Sequence, residues 1–518
     1  MMDLSNILLT SKTAAVKTAT IDPIQQVYSE YMANIIKQMP SPGKFKMLTG
    51  TANSQVSFYF KSPTTSQLNA TFYNNQISQR VEGLGNQNGV DQVKVLSSPF
   101  TNAYNQVYLS LRYQLSQKDE ATKQELVAEV SGSITTLRPI WNSWVAAFPS
   151  AGVTKLDETN TLTALIQLTD VVQNKWINPD YVKKLEDDPS YPYEHMTDFN
   201  TIFSEIPRSV PLLMRNQIID VYSAQGAAGG LTARMANATQ TINGIRGNIQ
   251  NPSADNGGLP ITGTTRMVPG LQFTPDDPIT LVNQLKTSPP SSKVRYDATI
   301  TKTEDTQLSF QASGGGSISI PIFDFFSLGI SGGSQTSIFK EDFAGSKFTV
   351  GIVFNNPTLS PNFTVTPTLY NISTGVGWMD PTPVVQAIQN GGKTDVTGYV
   401  FDSMPKFNFG EGGDFGYIST YVLSQFMELN LVFEQCTSKK VKEYFEQHAS
   451  ATIRFLGIPL GGASESSSYS YNYSQETDTA ITVTLKPNPP GYTPGGTDIT
   501  QSLCNLVSVG VVYPFAKA

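Results

Sequence analysis

The sequence predicts an α+β protein: a mainly α-helical N-terminal domain followed by a C-terminal antiparallel β-rich region that is sandwich-like. Three observations lead to this prediction. Apolar residues recur at helical spacing over much of residues 1–250. Residues 251–292 are rich in Pro, Gly and Asn, as is typical of a linker. From residue 293 onward, apolar and polar residues alternate with the period of two that strands require.

The predicted helical domain covers residues 1–250. Asp22 followed by Pro23 predicts a helix start, because aspartate caps the first turn and proline fits its first position. Several apolar stripes then predict core-facing surfaces of a helical bundle. They comprise Ile24, Val27, Tyr28, Tyr31 and Ile35; Val107, Leu111 and Leu115; Leu126, Val130, Ile134, Leu137, Trp141 and Trp144; and Leu162, Leu165, Leu168 and Val172.

The predicted β-rich domain covers residues 293–518. Its strands are expected where alternation is bounded by turn residues. These stretches are residues 294–303, 348–354, 363–370, 396–401, 429–433, 451–455, 481–485 and 507–513, with one helix at 439–448. Residues 456–466 resemble residues 328–337, and residues 481–490 resemble 348–357. The similarity suggests a duplicated hairpin unit within the domain.

One segment, residues 308–338, has the most regular alternation in the chain. Its centre reads SISIPIFDFFSLGIS, and even-numbered positions are mostly apolar or small while odd-numbered ones are mostly Ser, Gly or Gln. Asp324 is the only charged residue between Gln307 and Phe339. Folding the segment about Asp324 would place Ile320 opposite Leu328 and match the two arms face for face. The sequence therefore predicts a long amphipathic hairpin.

This pattern resembles the inserting hairpin of β-barrel pore-forming proteins, whose members carry Ser/Thr-rich lumenal faces and an apolar tip. The resemblance covers about thirty residues, and each arm reaches the roughly 9–11 residues that cross a bilayer. It implies a membrane or assembly hairpin made of Leu308, Phe310 and Phe326 together with three groups of residues. Ile318, Ile320, Ile322, Leu328 and Ile330 would face lipid; Ser317, Ser319, Ser327 and Ser331 would face the pore; Phe323 and Phe325 would lead at the tip.

Other interpretations of the segment stay open. Half-buried strands of an ordinary sandwich also alternate. The lack of charge on the polar face favours a special role, because solvated edge strands usually carry Lys or Glu that discourage pairing with other chains. The leading hypothesis is a non-enzymatic, toxin-like pore-forming protein that oligomerises through such hairpins. The alternative is a self-assembling structural protein (a sheath, filament, capsid or array subunit) built by strand pairing, and a third is a carbohydrate-binding or hydrolytic β protein.

Little in the sequence indicates an enzyme, and none is predicted. The chain has two histidines, His195 and His448, and two cysteines, Cys436 and Cys504. A zinc site of Cys and His alone would need all four to converge, so no metal or other cofactor is expected. The glycine cluster at 409–416 lacks the lysine of a phosphate loop. With a net charge of -7 and no clustered Lys and Arg, nucleic acid is not an expected partner.

The expected partners are further copies of the chain, together with a target membrane or a surface glycan. The apolar run near the N-terminus, Ile7 to Leu9, is too short for the core of a secretion signal. No stretch approaches eighteen consecutive apolar residues. The sequence therefore predicts a soluble protein without a recognisable signal peptide, released or assembled extracellularly.

Overall fold

The computed structural model confirms the α+β class. It describes residues 22–49, 78–87, 89–172, 206, 210–261, 263–274, 285, 289, 291–329, 334–340, 347–357, 363–425, 427–449, 451–459, 469–487 and 505–516. The α-helices are α1 (Pro23–Lys37), α2 (Phe100–Leu109), α3 (Gln117–Ala147), α4 (Thr161–Asp170), α5 (Leu212–Gln250), α6 (Ile322–Phe325), α7 (Thr382–Asn390) and α8 (Ser438–Gln447).

The strands follow in chain order. They are β1 (Met47–Thr49), β2 (Gln79–Gln87), β3 (Val90–Pro99), β4 (Leu111–Gln114), β5 (Leu259–Pro260), β6 (Met267–Val268), β7 (Leu271–Thr274), β8 (Lys293–Glu304), β9 (Gln307–Gln311), β10 (Ser317–Pro321), β11 (Phe326–Gly329), β12 (Gln335–Thr336), β13 (Lys347–Asn355), β14 (Phe363–Pro367), β15 (Gly398–Phe401), β16 (Gly416–Ser424), β17 (Glu428–Glu434), β18 (Thr452–Phe455), β19 (Ile458–Pro459), β20 (Tyr469–Thr477), β21 (Ala480–Pro487) and β22 (Asn505–Val512).

The chain forms two compact units, each built from separate segments. Unit 1 comprises Met1–Ser97, Phe273–Val365 and Tyr417–Val512. Unit 2 comprises Ser98–Gln272, Thr366–Gly416 and Tyr513–Ala518. Unit 1 therefore takes segments from both sides of the predicted linker at 251–292.

Unit 2 contains the long helices. Ser116 caps α3 by accepting a hydrogen bond from the amide of Asp119, and Asn160 caps α4 by accepting one from Thr163. The apolar stripes of α3, α4 and α5 meet in one core, because each helix turns its apolar face inward. This core contains Val130, Ile134, Leu137, Trp141, Trp144, Leu165, Leu168, Met214, Ile218 and Val221. The predicted stripes of α3 and α4 are confirmed as core surfaces at these positions, whereas Leu162 is 54% exposed. The predicted stripe Val107, Leu111 and Leu115 is wrong as a helical one, because α2 ends at Leu109 and Leu111 begins strand β4.

The described residues of unit 1 form three sheets. The first has the strand order β1-β3-β2-β16-β14-β7, with β22 pairing β16. The second has seven strands in the order β10-β9-β8-β13-β17-β21-β20, and the third has the order β12-β11-β18-β19. The first sheet also has seven strands when β22 is counted, but the name seven-stranded sheet is kept here for the second. This second sheet carries the site described below, and β10 and β20 are its two terminal strands.

Helix α1 packs on the inner face of the seven-stranded sheet. It begins as the sequence predicts, with the Asp22 carboxylate accepting a hydrogen bond of 3.0 Å from the amide of Ile24. The Tyr31 hydroxyl donates to the carbonyl oxygen of Val350 in the middle of the sheet at 2.9 Å. Complete burial raises the pKa of Tyr31 well above its usual value, so the hydroxyl stays a donor. This bond joins α1 to the centre of the sheet.

Candidate functional site

The predicted amphipathic segment is divided between two sheets of unit 1. Strand β10 runs antiparallel to β9, with Ile318 opposite Phe310 and Ile320 opposite Leu308. Helix α6 then turns the chain, and β11 pairs with β18 so that Leu328 lies opposite Ile453. The predicted hairpin about Asp324, with Ile320 opposite Leu328, is therefore wrong for this structure.

Two local features explain the different pairing. The glycines at 314–316 form a turn, in which the amide of Ala312 donates to the carbonyl of Gly316 at 2.9 Å. Gly315 has a φ of 86°, a conformation that side chains with a Cβ rarely adopt. The aromatic stretch Ile322–Phe325 forms a single helical turn instead of a hairpin tip. The turn at 312–316 therefore pairs β9 with β10.

The residues predicted to face lipid lie mainly in the core of unit 1. At most 1% of the side chain is exposed in Leu308, Phe310, Ile320, Ile322, Phe325, Phe326 and Leu328. Ile318 is half-buried against the same core. Ile330 lies outside the described residues, as does Ser331. In this structure the apolar face of the segment is thus an internal layer.

The predicted tip residues differ in environment. Phe325 is fully buried, with its ring centroid 5.3 Å from that of Phe455 and 5.8 Å from that of Phe339. Phe323 is half-buried, and the ammonium of Lys340 lies 5.4 Å from its ring centroid. Phe325 is therefore a core residue, whereas Phe323 lies at the border of the core.

The serines predicted to face a pore also divide into two groups. Ser317 and Ser319 of β10 are exposed, and the Ser319 hydroxyl donates to the side-chain carbonyl of Gln307 at 3.1 Å. Ser327 of β11 is fully buried, and so is Ser337. Within the described chain, neither of these two buried hydroxyls has a hydrogen-bond partner. An unpaired buried hydroxyl costs about 1–3 kcal/mol, so these serines destabilise the folded form.

We expect Ser327→Ala to stabilise the protein by about 1 kcal/mol, the reverse of most core substitutions, because it removes a desolvated hydroxyl and little volume. Urea unfolding followed by far-UV circular dichroism measures this change. Ser438→Ala is the matched control, since the Ser438 hydroxyl is buried but donates to the carbonyl of Thr477 at 2.9 Å. Loss of stability in both variants would show that the Ser327 hydroxyl is paired.

Strand β10 forms an open edge of the seven-stranded sheet. No described strand pairs with its outer side, and neither it nor the preceding turn carries a charged side chain. The amide of Ile322 donates to the carbonyl of Thr306 at 3.0 Å, in the same ladder as the bond between Ala312 and Gly316. Bonded pairs alternate in an antiparallel ladder, so Ile318 and Ile320 form the hydrogen-bonded pairs with β9. Ser317 and Ser319 lie between these pairs, and their backbone N–H and C=O groups point away from β9.

A buried carboxylate holds the turn beside this edge. Glu30 of α1 is 1% exposed. Its side chain accepts hydrogen bonds from the amide of Ser313 at 2.8 Å, from the Ser313 hydroxyl, and from the side-chain amide of Asn34 at 3.2 Å. These bonds fix the turn between β9 and β10. No local residue pattern indicates this contact, because Glu30 and Ser313 are far apart along the chain.

The outer face of the sheet is polar across several strands. Thr299, Thr349, Val432, Thr482 and Ser474 lie in one row, each opposite the next on the neighbouring strand. All five are half-buried or exposed. The hydrophilic face that was predicted for residues 308–338 thus continues through the sheet to β20. On the neighbouring strands it also carries exposed charged side chains, among them the ion-paired Arg295 and Asp297 of β8 and Lys347 of β13.

Strand β20 closes the opposite end of the sheet. Tyr471 packs on Phe445 of α8, with ring centroids 5.3 Å apart, and Lys442 lies 5.9 Å from the ring centroid of Tyr473. Asn472 and Ser474 are exposed. The predicted duplicated unit falls partly on residues 460–468, which lie outside the described residues.

Within the described residues, the histidine and cysteine side chains are those of His448 and Cys436. No three or more His, Cys, Asp and Glu side chains there lie close enough together to hold a metal ion. The Nδ1 of His448 lies 2.7 Å from the carbonyl oxygen of Tyr444. Cys436 is a buried free thiol, and burial raises its pKa. The last two groups are part of the packing of α8 and its surroundings.

Comparisons with family models, curated proteins and solved structures found no match to this chain. None of the helices in the described residues is both long enough and apolar enough to cross a lipid bilayer.

Proposed function

We propose that this chain is a non-enzymatic subunit that self-assembles by β-strand pairing at the edges of its seven-stranded sheet. The observation that supports this most strongly is the exposed, uncharged strand β10, whose outward backbone groups have no partner strand among the described residues. Such an edge is a template for another strand unless charge, proline or a covering segment protects it. Here proline occurs only at the last position, Pro321.

The two ends of the sheet support repeated assembly. Strand β10 forms one terminal edge and β20 the other. If both terminal strands of the described sheet pair with other copies, an extended chain or array can form from one kind of subunit. The low charge of the protein, 15% of residues, reduces the repulsion that would oppose such pairing.

Membrane insertion by the same segment is a second candidate, favoured by the unpaired hydroxyls of Ser327 and Ser337. Releasing residues 317–329 would expose five buried apolar side chains, at about 1.5–3 kcal/mol each, or roughly 8–15 kcal/mol together. The five are Ile320, Ile322, Phe325, Phe326 and Leu328. Relief of the one unpaired hydroxyl within this segment, that of Ser327, offsets about 1–3 kcal/mol of this. Edge pairing needs no such release, so assembly is the better-supported function.

Negative-stain imaging and dye release from liposomes distinguish the two candidates. We expect ordered assemblies in the absence of lipid, with no dye release at neutral or acidic pH or after limited proteolysis. Dye release by a protein that remains monomeric without lipid would contradict the assembly proposal and favour insertion. Ile320→Asp and Leu328→Asp are unsuitable variants for this comparison, because both positions are fully buried and a charge there would unfold the protein.

A further inference from the structure

The open edge of β10 has a defined set of backbone groups. In the ladder with β9, Ile318 and Ile320 belong to the hydrogen-bonded pairs. The outward groups are therefore the N–H and C=O of Ser317, the N–H and C=O of Ser319, and the C=O of Pro321, which has no N–H. Two donors and three acceptors are thus offered to a partner strand.

We propose that the partner is β10 of a second copy, paired antiparallel about a two-fold axis at Ser319; this inference rests on the proposed function. Ser319 is the middle residue of the five in β10. An axis there places Ser319 opposite Ser319 of the second copy and Ser317 opposite Pro321. Both Ser319 amides then donate to Ser319 carbonyls, and both Ser317 amides donate to Pro321 carbonyls.

This register uses every outward amide and only strand residues. The carbonyl of Ser317 alone lacks a donor, because it lies opposite the proline nitrogen. Moving the axis to Ile318 would place Pro321 opposite Gly315, which has a φ of 86° and whose amide already donates to the carbonyl of Ala312. The axis at Ser319 avoids this overlap with the turn.

Charge near the two ends of β10 also favours the antiparallel arrangement. Glu304, the last residue of β8, and Asp305, in the turn that follows, are exposed beside the Pro321 end; Lys302 lies 3.5 Å from Asp305 and offsets part of this acidic charge. The other end of β10 adjoins the turn at 312–316, which carries no charge. Antiparallel pairing places the acidic turn of each copy beside the uncharged turn of the other. Parallel pairing would bring the two acidic turns together.

Disulfide trapping tests this register. In a protein with Cys436→Ala and Cys504→Ala, Ser319→Cys should form a disulfide-linked dimer as its main product under mild oxidation. The reason is that Cα atoms of a directly opposed hydrogen-bonded pair lie about 5.5 Å apart, within the range that a disulfide spans. Ser317→Cys is the matched control. In this register residue 317 of one copy faces residue 321 of the other, so the two cysteines at position 317 would lie four positions apart. Only traces of dimer are therefore expected.

The outcomes separate this inference from the proposed function. If the protein assembles but Ser319→Cys does not crosslink, or Ser317→Cys crosslinks equally well, the two-fold register is wrong and edge pairing stands. If the cysteine-free protein and both variants are monomeric at all concentrations by light scattering, the proposed function and the register both fail. Reduction of the Ser319→Cys dimer should restore the concentration-dependent association of the cysteine-free protein.

Discussion

Ser319→Pro is expected to leave the protein folded and to weaken its self-association about tenfold to a hundredfold. Proline removes the outward N–H of residue 319, a donor that any partner strand on β10 would use. It removes no backbone hydrogen bond within the sheet, because the N–H of residue 319 faces away from β9, where proline is tolerated on edge strands. Each lost interchain bond is worth about 0.5–1.5 kcal/mol, and the loss of two gives the expected range. Light scattering over a dilution series measures the change.

Ser319→Ala is the control for this substitution. It removes the hydroxyl that donates to Gln307 but keeps the backbone N–H. We expect its association to match that of the unmodified protein, and both variants should keep the far-UV circular dichroism spectrum of the parent. Unchanged association in Ser319→Pro would mean that β10 is not an assembly edge.

Phe325→Ala is expected to destabilise the protein by about 3–5 kcal/mol, the cost of emptying a well-packed aromatic site. Phe325 is fully buried between Phe339 and Phe455. A urea titration followed by far-UV circular dichroism measures the decrease in the free energy of unfolding. Fluorescence is less suitable, because the tryptophans at positions 141, 144, 176 and 378 all belong to unit 2 whereas Phe325 belongs to unit 1.

Phe323→Ala provides the comparison, since it removes the same side chain two residues away. Phe323 is half-buried, and its described ring contact is with Lys340. A cation–π contact near the surface contributes about 0.5–1 kcal/mol, so Phe323→Ala should lower the free energy of unfolding by about 1 kcal/mol. Equal effects of the two substitutions would contradict the placement of Phe325 in the core and would strengthen the case for a tip that is free to insert.

Much of the fold could be predicted from local patterns. The cap at Asp22, the stripes of α3 and α4, and the alternation of β8, β9 and β10 follow from residue spacing, which decides which side chains share a face. The exposure of Ser317 and Ser319 also follows from this alternation. These features depend on neighbours a few residues apart, which the sequence shows directly.

The pairing of the strands could not be predicted in the same way. Alternation shows which residues of β11 share a face, but not that β18 is the strand beside it. The glycines at 314–316 fitted a continuous arm as well as a turn, and the choice between them depended on the core that Phe325 and Phe326 enter. The contact between Glu30 and Ser313 depends on the placement of α1 on the sheet, which no local signal indicates.

Residue-resolved amide hydrogen exchange at low and high protein concentration tests edge pairing at β10 most directly. The amides of Ile318 and Ile320 belong to the ladder with β9 and should be protected at every concentration. We predict that the amides of Ser317 and Ser319 exchange rapidly in the dilute protein and become protected as the protein assembles. Rapid exchange of both serine amides in the fully assembled protein would show that β10 is not an interface and would contradict its role as an assembly edge.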